Sequence, residues 1–170
     1  MFCDISPTCY KIALQKEIIK RHIKNFLRHE RYADTRQSEP LPCLVADCSS
    51  HLIKRGKGID PVLQENKAVN IKLANARMNG ILIRPGETFS FWHLVGKTTK
   101  RKGYRDGRIL VRNHLLPGIG GGLCNLANTI HRVVLLSPLT VTEFHKHADA
   151  LAADEGARVP FSSGTSVFYN

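Results

Sequence analysis

The sequence predicts an α+β fold: a mixed or antiparallel sheet packed against two main helices, with an N-terminal helical appendage. Three observations predict it. Residues 61–79 and 123–136 repeat apolar positions at steps of three and four, the period of a helix with one buried face. Between them the pattern turns to strands, alternating at Thr88-Phe89-Ser90-Phe91-Trp92 and running apolar at Ile109-Leu110-Val111. A further helical stretch, 10–31, is set apart by a segment punctuated with Pro40, Pro42, Gly56 and Gly58. The division that follows is a basic helical segment, 1–40, and a main domain, 41–170.

The helix over 10–31 carries Leu14, Ile18, His22 or Ile23, and Phe26 with Leu27 as one stripe, and lysines and arginines over much of the rest. Ser6 suits its cap and Pro7 its first position. Such a helix packs on its own domain or lies on an anionic membrane; packing is expected here, because so apolar a stripe ordinarily joins a core. In the linker a short strand is expected at Cys43–Ala46. The helix over 61–79 has sharp limits, with Asp60 as cap, Pro61 at its first position and Gly80 beyond its end. Val62, Val69, Leu73 and Ala76 are its expected buried stripe. Asn66, Asn70 and Asn79 either brace a neighbouring loop or face water, since a buried amide needs partners.

Strands are expected at Ile81–Ile83, Thr88–Trp92 and Arg108–Arg112. Asn113-His114 reads as a turn into Leu115-Leu116. After the helix over 124–136, stopped by Ser137-Pro138, further strands are expected at Leu139–Phe144 and Thr165–Tyr169.

The formal charge of +11 favours an anionic partner or a solvated basic surface. Seven basic residues and one acidic residue fall between Lys97 and Arg112. They are not interleaved with aromatics for stacking bases, so a nucleic-acid reading is set aside. No apolar run reaches the roughly 20 residues a membrane span needs. The start lacks a secretory signal, so the chain as given reads as cytoplasmic, with peripheral membrane association the alternative. Five cysteines, an odd number, with no C-x2-C pair, lead to an expectation of free thiols.

The chemistry concentrates in Pro117-Gly118-Ile119-Gly120-Gly121-Gly122-Leu123-Cys124. Four glycines in five residues suit a tight turn or a backbone that something approaches closely. Cys124 falls in the first turn of the next helix, where unpaired N–H groups and the macrodipole favour a thiolate. Downstream stand His145, His147 and Asp149. Cys124 as nucleophile, His147 or His145 as base and Asp149 or Asn128 as orienting group follow the chain order of a papain-type arrangement. Backbone N–H groups near Gly122 to Cys124 would bind an oxyanion, and the glycine loop with Gly120, Gly121 and Gly122 would cradle a carboxylate. The alternative makes Cys124 a small buried helix residue and the glycines a tight connection. Cys124, His145 and His147 also form a partial metal set, but beyond Asp149 and Glu143 no fourth ligand is evident. No metal or other cofactor is expected.

These residues resemble a known family. Gly86-Glu87-Thr88-Phe89-Ser90-Phe91, Val95-Gly96, Gly103-Tyr104, the glycine run to Cys124 and Asn128-Thr129 closely resemble the VanW family, as do Gln64-Glu65-Asn66-Lys67 and Thr142-Glu143-Phe144-His145-Lys146-His147. The resemblance runs from about Leu41 to the end. It implies a bacterial protein linked to glycopeptide resistance or the cell wall, with a cell-wall precursor or other anionic ligand as partner. Candidate ligand-binding residues are Gly120, Gly121, Gly122, Asn128 and Glu87. Relatives continue with further strands, so the chain is expected to be incomplete at its C-terminus. Two functions are open: a cysteine-dependent hydrolase or acyl transferase acting on peptidoglycan precursors, and a non-catalytic module binding a carboxylate at the glycine loop.

Overall fold

The computed structural model describes residues 6–111 and 114–143. The expected strand at Thr165–Tyr169, together with Phe144, Asn113, His145, His147 and Asp149, lies outside the described residues. Helix α1 spans Pro7–Leu27, α2 spans Pro61–Met78, α3 spans Phe91–Val95 and α4 spans Leu123–Leu135. Strands β1, Asp106–Val111, and β2, His114–Ile119, pair antiparallel with Asp106 opposite Ile119 and Val111 opposite His114. The architecture is α+β, with α2 packed on β1 and on α4.

The helix starts follow their capping chemistry. Ser6 Oγ accepts from Cys9 N at 3.2 Å ahead of Pro7. Asp60 Oδ1 accepts from Val62 N at 2.8 Å and Leu63 N at 3.4 Å ahead of Pro61. Replacing Asp60 by alanine removes both bonds and is expected to cost about 1 kcal/mol in a urea titration. The cost should be smaller for asparagine, which keeps the acceptor.

The core is small. Ala74 and Met78 of α2, Val95 of α3, Tyr104, and Leu123 and Leu126 of α4 are buried together. Phe89, Phe91, Trp92 and Ile119 pack round them. Phe91 and Trp92 meet edge to face with ring centroids 5.2 Å apart, a favoured geometry for aromatic pairs.

Several expected elements are corrected. Thr88 makes an isolated parallel bridge to Tyr32, and the chain then turns into α3 instead of a strand. Ser90 Oγ accepts from His93 N at 3.4 Å and so starts the helix. Ile81 makes one antiparallel bridge to Arg36 and no strand forms at Ile81–Ile83. Cys43–Ala46 is irregular, with Leu44 and Val45 exposed and, among the described residues, no strand paired with them. Residues 139–143 are likewise irregular, and Leu139 and Val141 are exposed. Residues 31–37 run beside 80–88, where Thr88 N donates to Arg31 O, Ala33 N to Thr88 O, Leu82 N to Thr35 O and Gln37 N to Gly80 O. Ala33 is buried by that contact.

The buried face of α2 also differs from expectation. Val62 and Ala76 are exposed, while Gln64, Asn70, Ala74 and Met78 are buried. The reason is what α2 packs against. Over its first half the partner is the backbone of the β1 approach and the glycine loop, which amide side chains satisfy and aliphatic ones do not. In α1, Ile23, Phe26 and Leu27 are exposed rather than packed in a core.

Candidate functional site

The glycine loop joins β2 to α4 and is folded tightly on itself. Gly121 N donates to Gly118 O at 3.0 Å, and Gly120 N donates to Arg105 O at 3.0 Å. Asn70 then ties loop and hairpin together. Its Nδ2 donates to Gly121 O and to Arg105 O, both at 2.9 Å, and its Oδ1 accepts from Arg105 N at 2.8 Å. Asn66, one turn earlier on α2, donates from Nδ2 to Asp106 O at 2.9 Å. Both asparagines therefore brace neighbouring backbone, and Asn79 caps the end of α2. The N–H groups of Gly120 and Gly121 are engaged inside the loop. The N–H groups that α4 leaves without intrahelical partners begin one residue later, and the N-cap, Gly122, has no side chain to cap them.

At Gly122 the backbone is left-handed, φ 94°, and this glycine is the N-cap of α4. It lies against the stem of Lys67: a Cβ added there would come within 2.2 Å of Lys67 Cγ. Lys67 Nζ donates to Gln64 Oε1 at 2.7 Å, and the same oxygen accepts from Lys54 N at 3.2 Å. Burial chiefly, with Arg108 and Lys54 adding repulsion, holds the Lys67 ammonium below its ordinary pKa. Ser50 Oγ and Thr129 Oγ1 lie 3.2 Å apart, and Thr129 Oγ1 donates to Asn125 O at 3.0 Å. The segment 50–54 thus reaches from α4 to the first turn of α2.

Cys124 occupies the second position of α4, half-buried and unbonded to another cysteine. Cys9, Cys43 and Cys48 are free thiols as well. Asn128 stands one turn beyond Cys124 and His131 two turns beyond, on the same face by helical period. Seven residues of helix separate Cys124 from His131 by about 10 Å of rise, too far for a direct Cys–His pair. Glu87 closes its own turn: its Oε2 accepts from Arg84 N at 3.0 Å, and its N–H donates to Arg84 O at 2.9 Å. Arg132 lies in the last turn of α4, where a cation meets the favourable end of the helix dipole. Among the described residues no group of three or more His, Cys, Asp or Glu could hold a metal ion. Among them also, no helix is long and apolar enough to cross a membrane.

The sequence reading brought out Cys124, the glycines and the basic run from Lys97 to Arg112 that contains Arg108, but named neither Lys67 nor Lys54 as a site residue. Only the run Gln64-Glu65-Asn66-Lys67, singled out by resemblance, pointed toward that end of α2. His131 was also missed, although its spacing of seven from Cys124 was there to be read.

Comparison with known proteins places this geometry in a family. Residues 66–170 match the family described as VanW like protein. The chain is 40% identical over 116 residues to the vancomycin B-type resistance protein VanW of Enterococcus faecalis, covering 68% of this chain and 42% of that protein. It is 32% identical over 83 residues to the uncharacterized protein YoaR of Bacillus subtilis, covering 49% of this chain and 27% of that protein. The chain thus spans less than half the length of these curated relatives. No solved structure matches it. With its glycine loop, Cys124 and the amide clamp beneath them all falling in or beside the matched span, the chain belongs to the VanW family, whose namesake relative is a vancomycin-resistance protein.

Proposed function

We propose that the junction of the glycine loop with α4 binds the carboxylate of a peptide-like cell-wall precursor, in keeping with the vancomycin-resistance name of the relative. The observation that supports this reading best is the cation cluster. Lys67 is half-buried against the Gly122 cap, and Arg108 and Lys54 stand close enough to lower its proton affinity. Three cations gathered beside the start of α4, one of them half-buried, repel one another and are relieved by an anion. The sign is definite. Between the depressed pKa of Lys67 in the folded chain and its ordinary 10.5, the unfolded chain holds a proton that the folded one has released, so stability rises with pH there. Below that window the protonated ammonium opposes folding, and an anion stabilises most.

The test is a thermal melt with an N-acyl dipeptide carrying a free C-terminal carboxylate, against its amide. The carboxylate is expected to raise Tm at pH 7. The rise should shrink toward pH 10 and be largely lost in Lys67→Gln. Equal shifts from acid and amide overturn the reading.

A second reading is favoured by the position of Cys124 in the first turn of the same helix. There Cys124 acts as nucleophile on a carbonyl of the bound ligand. The thiolate forms a thioester and expels an amine, which takes a proton, and water or another amine then releases the acyl group. His147 or His145 is the base in this reading, with Asp149 orienting it. Cys124→Ser separates the two. An acyl-transfer enzyme loses turnover and keeps the carboxylate-dependent Tm rise, whereas a binding module keeps both binding and biological function.

A further inference from the structure

The outer face of α1 has no use in the site described. Ile12, Ile19, Ile23 and Phe26 are 56%, 57%, 55% and 76% exposed. At 100° per residue they fall within about 60° of one another on the helix, a narrow apolar stripe. Lys16, Lys20 and Lys24 form a row along one edge of it. Arg21 lies about 200° round the helix from Ile19. There it makes a two-pronged ion pair with both carboxylate oxygens of Glu143. The helix is therefore tied to the protein on the side opposite its apolar stripe, which faces outward.

We propose that this face of α1 docks on an anionic lipid bilayer, with the isoleucines and Phe26 entering the headgroup boundary and the lysine row lying among lipid phosphates. Charge complementarity selects the occupant. Pro7–Leu27 holds five basic residues (Lys11, Lys16, Lys20, Arg21, Lys24) against the single acid Glu17. Lys20 lies 3.8 Å from that acid in an exposed pair, the weakest kind. A second copy of the chain would bring the same lysines against each other, whereas an anionic surface attracts every one of them. The stripe is also too short for a span and its edges too charged, so the helix lies in the interface plane.

The experiment is flotation of the full chain with vesicles of phosphatidylcholine alone, or with 30% phosphatidylglycerol, at about 0.1 M and 0.5 M salt. Binding is expected with phosphatidylglycerol only, and weaker at the higher salt. Lys16→Gln, Lys20→Gln and Lys24→Gln together should weaken it on the order of a hundredfold, about fivefold per lysine. Ile19→Glu with Ile23→Glu should abolish it while leaving the melting curve unchanged, because both residues are more than half exposed and outside the core. Failure to float with phosphatidylglycerol overturns the proposal. So does flotation that survives Ile19→Glu/Ile23→Glu, which would mark adsorption elsewhere on a basic protein. A concentration-dependent dimer that this double variant dissolves would assign the stripe to a second copy and overturns the proposal as well.

Discussion

Replacing Asn70 by leucine is expected to cost about 2–5 kcal/mol in urea denaturation, although leucine fills nearly the same space and is the more hydrophobic residue. Asn70 is fully buried and bonds three backbone groups at once: Arg105 N, Arg105 O and Gly121 O. Arg105 O keeps a partner in the variant, because Gly120 N still donates to it. The Arg105 N–H and the Gly121 carbonyl lose theirs. The Gly121 carbonyl is buried and the Arg105 N–H partly so, and stranding such a group costs roughly 1–3 kcal/mol, against a total stability of roughly 5–15 kcal/mol for a domain. Asn70→Asp is expected to fall in the same range. Its carboxylate accepts from Arg105 N but offers nothing to the two carbonyls and repels them. Hydrogen exchange separates the outcomes: loss confined to the glycine loop and the start of β1 would indicate local release, and loss throughout α2 and α4 would indicate global unfolding. A leucine variant as stable as the parent would mean that the amide contributes position only.

Much of this arrangement is legible from residues close together in the chain. Asp60, Pro61 and Gly80 fix the limits of α2 because caps are local chemistry. The glycine run followed by the Leu123, Leu126, Ala127, Ile130 spacing fixes the turn and α4 in the same way. Apolar periodicity fails on the buried face of α2. It registers side chains packed against side chains, whereas Gln64, Asn66 and Asn70 are held by backbone across 10 to 51 residues of sequence. Alternation at Thr88–Trp92 misleads for a related reason. The same apolar positions can be buried by one helical turn once Ser90 starts it. The cation cluster was hidden because Lys67 and Gly122 meet across 55 positions, and nothing in either residue type announces the other.

The second large effect falls on Gly121, and it is a matter of space. Gly121 is buried with its φ outside the left-handed region, so alanine there is not strained in its own dihedrals. Yet its Cβ would lie 2.2 Å from the carbonyl carbon of Gly107, 2.4 Å from that carbonyl oxygen and 2.7 Å from Arg108 N. These are backbone atoms inside a paired hairpin and have no rotamer to move to. Gly121→Ala is expected to cost about 3 kcal/mol or more, the upper end for overpacking. Gly107→Ala should match it, because its Cβ would come 2.4 Å from Gly121 O. Gly122→Ala is the contrast. Its Cβ would lie 2.2 Å from Lys67 Cγ and 2.9 Å from Lys67 Cβ, side-chain atoms rather than the backbone of a paired strand, and its left-handed φ costs roughly 1–2 kcal/mol for alanine. That variant is expected to fold and to lose the carboxylate response, because Lys67 has been displaced. Gly121→Ala and Asn70→Leu attack the same contact from its two sides. Combined, they should cost less than their sum by roughly 0.5–3 kcal/mol. Strict additivity in that double variant would mean that Asn70 and the Gly107–Gly121 contact hold the loop independently, and the single clamp drawn here would have to be divided into two.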